Sequence, residues 1–172
     1  MTIEKLTVAL MMLVTSLASL AAGNHGGGHG DALAIGVAGQ PSKVNRVIAV
    51  DMTDAMRFAP ASISVKQGET IRFVVKNSGK VKHEMVLGTL KELQEHSELM
   101  KKNPEMEHAD DNQITVLPGK KGEIVWQFTK AGKVNFACLQ PGHYDAGMKG
   151  VVNVKGLVKR PMNTSAKSTN LH

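Results

Sequence analysis

From residue 44 onward the chain alternates apolar and polar positions with a period of two, broken by turns rich in glycine, proline and asparagine. Residues 46–52 read as one strand. In 62–66, Ile63 and Val65 alternate with polar neighbours before a Gln67-Gly68 turn. In 70–76, Ile71, Phe73 and Val75 share a face, the pattern of a half-buried strand. A turn at 77–80 leads to a strand at 83–87. Strands resume at 114–117, continue with Ile124, Trp126 and Phe128 on one face, pass through Val134, Phe136 and Cys138, and close with 150–155. One stretch has a different period. Thr89 with Glu92 three residues later matches a capping box, and Leu90, Leu93, Ser97 and Met100 recur at helical spacing, predicting an amphipathic helix over 89–102. Residues 103–112 form an acidic, polar loop, and Met52 and Met56 bracket a turn as packing residues. Seven or eight short strands with Gly/Pro turns predict an all-β fold, an antiparallel β-sandwich of Greek-key type with one short inserted α-helix.

The flanks lack this pattern. Residues 1–22 read as a secretory signal peptide, with Lys5, an apolar stretch at 6–20 and small residues before the cleavage point. An uncleaved anchor is the alternative, but the apolar run of about 15 residues falls short of the ~20 that span a bilayer. Residues 23–43 read as a flexible Gly/His-rich segment, 44–155 as the folded domain and 156–172 as a loose polar, basic tail. Export implies a periplasmic protein without stable membrane insertion once the leader is removed; a monomer is expected.

Composition narrows the function. The 172 residues suffice for one domain, and 21 Lys and Arg against 15 Asp and Glu give a net charge of +6. The basic residues are scattered and aromatics are few, which argues against nucleic acid as a partner. Lys80, Lys82 and Lys149 flank the segments discussed next and suit an acidic redox partner such as a cytochrome.

Cys138 is the only cysteine. In an oxidising compartment it has no internal disulfide partner, and metal ligation would protect it. It opens an eleven-residue loop in which His143 and Met148 follow at gaps of four. Thiolate, imidazole and thioether are the donors of a type 1 copper centre, which needs one Cys, two His and a weak axial Met. The loop lacks the second His, and His83 on another strand is the leading candidate. Pro141-Gly142 and Ala146-Gly147 supply the bends that return His143 and Met148 toward Cys138. Zinc also takes Cys and His, but paired Cys ligands are missing and Met serves zinc poorly; iron–sulfur clusters need more cysteines. A Cys138–His143 nucleophile–base pair would set the base badly in a tight loop, with no oxyanion device evident. Glu84 and Asp145 show no acid/base pairing and read as surface residues.

The segment 134–154, with Cys138, Pro141-Gly142-His143, Gly147-Met148 and Gly150, resembles the C-terminal copper loop of cupredoxins, and its gaps are similar to those of rusticyanin and auracyanin. Residues 82–88 (KHEMVLG), the inserted helix and residues 122–128 (GEIVWQF) more closely resemble exported cupredoxins linked to bacterial copper tolerance. The resemblance covers residues 44–155. It implies a copper-binding sandwich that cycles between Cu(I) and Cu(II), with His83, Cys138, His143 and Met148 matching the ligands.

Secondary candidates lie elsewhere. Met85 points to the same strand face as His83, and either packs in the core or approaches the copper region. Met106 and His108, with Met100 or His96, suggest a second copper in the acidic loop, against a simple solvated loop. His25 and His29 suggest weak metal capture, against chance occurrence in a linker. Copper tolerance and single-electron transfer both fit such a centre. Enzymatic chemistry fits less well, because the repeated His-x-His motifs of multicopper oxidases are missing.

Overall fold

The structure, a computed structural model, describes residues 34–104 and 110–157. The leader, His25, His29, Met106, His108 and the basic tail lie outside the described residues.

Ten strands form two five-stranded sheets among the described residues. The first sheet has the order β1 (Val37–Ala38), β8 (Lys121–Gln127), β5 (Thr70–Asn77), β2 (Arg46–Thr53) and β3 (Arg57–Ala59). The second runs β4 (Ser62–Lys66), β10 (Lys149–Lys155), β9 (Gly132–Ala137), β6 (His83–Gly88) and β7 (Gln113–Val116). The two inner faces enclose one apolar core. Phe73, Phe128 and Phe136, with Ile71, Val75, Met52 and Ile124, lie at its centre, as the period-two pattern requires. Gly150 on β10 leaves room for Phe136 on β9; a Cβ there would overlap the ring.

The sandwich departs from the antiparallel arrangement that the strand pattern predicts. β2 pairs with β5 in parallel, and β4 with β10 likewise. Parallel neighbours need long connections, so no local turn signal marks them. The core-free segment expected up to Lys43 also ends earlier. Ile35 is buried in the main core, and Val37 and Ala38 pair with Gln127 and Trp126. The Trp126 indole donates to the Ile35 carbonyl at 2.9 Å, so Ile35, Val37 and Ala38 fasten the end of this stretch to β8.

The helix α1 (Leu90–Lys102) forms as expected, with both hydrogen bonds of the Thr89–Glu92 capping box present. Leu93, Ser97 and Met100 are its buried residues, whereas Leu90 remains exposed. Leu93 and Met100 cluster with Val86, Ala137, Leu139 and Tyr144. All six residues of β6 are consequently buried: Met85 and Leu87 in the sandwich core, Val86 in the cluster with the helix.

Candidate metal centre

His83 begins β6 and Cys138 directly follows β9, adjacent strands in the second sheet. Beyond Cys138 the chain folds into consecutive turns. His143 N–H donates to the Gln140 carbonyl, Met148 N–H to the His143 carbonyl, and Cys138 N–H to the Met148 carbonyl, all within 3.1 Å. Gly142 and Gly147 adopt φ of 82° and 91°, which glycine reaches without strain. The loop thereby closes on itself before β10 begins. His83, Cys138 and Met148 are fully buried and His143 is half-buried.

Among the described residues, His83, Cys138 and His143 form the one cluster of three side chains with metal-binding geometry. The His143 Nδ1 lies 3.2 Å from the Cys138 Sγ and 3.2 Å from the His83 Nδ1, which is itself 4.0 Å from the Sγ. A point equidistant from these three atoms lies about 2 Å from each, close to the length of a metal–imidazole bond. The donors therefore fit a single small ion with little rearrangement, and one thiolate with two imidazoles suits copper. Met148, expected as axial ligand, is held against this trio through its backbone bonds to Cys138 and His143. Met85 is fully buried in the same core cluster as Cys138 and Met148.

Electrostatics favour a metal over a reactive thiol. Burial pushes the Cys138 thiol up to about 12, so without a cation the sulfur keeps its proton at neutral pH. Burial, and then the neighbouring His83, push His143 below the usual imidazole range.

Two carboxylates around the site were not legible in the sequence. Glu84, expected at the surface, is only 7 % exposed. Its backbone N–H donates to the Cys138 Sγ at 3.4 Å, and its Oε1 accepts from Leu139 N–H at 2.9 Å. It thus straps the His83 strand to the Cys138 loop, and burial raises its proton affinity. The start of the Cys138 loop and Thr115 of β7 lie against its carboxylate, which is why an acidic residue on the outer face of β6 becomes enclosed. Asp54, in the turn after β2, lies 3.0 Å from the His83 Nε2. Backbone N–H groups, chiefly that of Lys80, hold its carboxyl below the usual range. Only its chain neighbours Met52 and Met56 stand out in the sequence, and both pack on the core as expected.

Asp145 is exposed as expected, but it also pairs with Lys101 of the helix at 2.8 Å. Lys149 lies over the Tyr144 ring, 3.7 Å from its centroid.

A two-sheet sandwich with a His–Cys–His trio at one end, two of its members buried, defines the cupredoxin class of copper-binding proteins. The chain belongs to the plastocyanin/azurin family of copper binding proteins, whose model matches residues 44–155. It is 47 % identical over 156 residues to the copper-resistant cuproprotein CopI of Rubrivivax gelatinosus, covering 87 % of this chain and 94 % of that one. A protein of the same name from Pseudomonas aeruginosa is 37 % identical, covering 74 % and 84 %. Among solved structures, auracyanin from Roseiflexus castenholzii aligns with a TM-score of 0.56 at 24 % identity, covering 64 % of this chain and 98 % of that one. Auracyanin B aligns at 0.59 and 22 %, covering 70 % and 96 %. At these identities the structural likeness speaks to the fold.

Proposed function

We propose that this protein contributes to copper tolerance in the periplasm. Exported by its N-terminal leader, it binds copper at one type 1 centre and passes between Cu(I) and Cu(II) without catalysing a reaction of its own. His83, Cys138, His143 and Met148 would hold the ion. The copper ion, when bound, supplies the one-electron couple. The protein's residues do the rest: the loop turns orient the donors, the sandwich core excludes water, and Glu84 N–H holds the sulfur in place. The observation that carries this reading is the similarity to CopI along nearly the whole of both chains.

Electron transfer to a soluble partner is the second reading. Val81 and Leu117 are exposed beside the His83 end of β6, with Lys80 exposed next to them, and such a surface suits an acidic redox protein. Deletion in the native host separates the two. Copper tolerance predicts growth arrest at elevated copper with normal respiration at low copper. A respiratory defect at low copper, with unchanged copper sensitivity, would refute it in favour of electron transfer.

A further inference from the structure

We propose that Asp54 is a positioning residue of the copper centre. Its carboxylate holds His83 with Nε2 protonated, presents Nδ1 to the ion, and through its negative charge favours Cu(II) over Cu(I). The inference rests on His83 being a ligand.

The geometry is specific. Both imidazole Nδ1 atoms converge on the Cys138 sulfur, leaving the His83 Nε2 to donate to the Asp54 Oδ1 at 3.0 Å. Asp54 is itself fixed. Its Oδ2 accepts from Lys80 N–H at 2.7 Å. Gly79 packs so closely that a Cβ there would overlap the Asp54 Oδ1. Asn77 anchors this turn by donating to the carbonyls of Val81 and Val116 at 2.8 and 2.9 Å. Three residues after Asp54, at the start of β3, Arg57 donates to the Ala146 carbonyl at 3.0 Å, so the β2–β3 connection grips both the His83 strand and the loop that carries Met148.

An acceptor on the distal nitrogen fixes the tautomer of a ligating histidine and raises its basicity. A neutral acceptor would do only that. A carboxylate also adds a negative charge near the ion, and the more highly charged Cu(II) gains most from it.

The test compares copper-loaded wild type with the variants Asp54→Asn and Asp54→Ala, by visible absorption, midpoint potential and thermal unfolding. In the diamagnetic Cu(I) proteins, nitrogen–proton correlation spectra report which His83 nitrogen carries the proton. Asp54→Asn keeps one acceptor oxygen, which serves Lys80 N–H or His83 Nε2–H but not both, so the metal-free variant should unfold below the wild-type temperature but above Asp54→Ala. It should retain the thiolate-to-copper band, while the ratio of Cu(I) to Cu(II) affinity rises about tenfold, a potential about 59 mV higher for a one-electron couple. Asp54→Ala should raise the potential at least as far and lower the unfolding temperature further. A blue Asp54→Asn variant with the wild-type potential would overturn this inference alone, whereas a proton on His83 Nδ1 in the Cu(I) protein would overturn His83 as a ligand together with it. A wild type without the band would overturn the ligand assignment as well.

Discussion

Cys138 enters the fold as a protonated thiol, and that has a measurable consequence. With the thiol pushed up to about 12 and His143 held below its usual range, one proton must leave when copper binds. The apparent affinity for Cu(II) should rise about tenfold per pH unit from roughly pH 7 to 9. Calorimetric titrations in buffers of different ionisation enthalpy should report release of about one proton per copper; no release would mean that the sulfur is not the ligand. Glu84 makes a second residue-scale prediction. Its carboxyl binds a proton more readily in the folded chain than in the unfolded one. Its contribution to stability is therefore complete below the ordinary carboxylate range and declines as pH rises through the folded value. Glu84→Gln keeps an acceptor for Leu139 N–H and should escape that decline. Glu84→Ala leaves the buried N–H unpaired and should cost about 1–3 kcal/mol. Urea unfolding of the metal-free proteins at pH 5 and pH 8 checks both signs. Residue chemistry was the most legible part of the chain where it was local: Cys138, His143 and Met148 announce themselves by spacing. Glu84 and Asp54 do not, because their roles come from what other segments lay against them.

Helix α1 was legible for the same reason. Its cap and its apolar stripe are written within fourteen residues, and the structure adds what the stripe packs on. Leu93, 2 % exposed, sits among Val86, Leu139 and Tyr144 on the outer side of the second sheet. Leu93→Ala should destabilise the protein by about 2–5 kcal/mol, the range for a buried leucine truncated in a core. Thr89→Ala, which removes the cap, should cost about 1 kcal/mol. Denaturant midpoints of the two variants should fall in that order, and a Leu93→Ala variant with wild-type stability would contradict the packing. The Lys101–Asp145 pair is exposed, so Asp145→Ala should change stability little. The strands missed in the sequence, β1 and β3, span two and three residues, too short to show a period. The parallel pairings stayed hidden because their partners lie far apart along the chain, and pairing direction depends on connections rather than on local pattern.

At the scale of the molecule, the sandwich places His83 on one strand and Cys138 just past the end of its neighbour, and lets one short loop return His143 and Met148 toward them. Sandwich class and copper chemistry followed from periodicity and donor softness. The physiological role follows neither from fold nor from donors, since storing copper and moving electrons use the same centre; it leans on the likeness to copper-resistance proteins along the chain. The centre itself has the most direct test: visible absorption of the Cu(II)-loaded protein beside its Cys138→Ser variant. The four-ligand account predicts an intense thiolate-to-copper band in the wild type and none in the variant. A colourless wild type, or a variant that keeps the band, would contradict it.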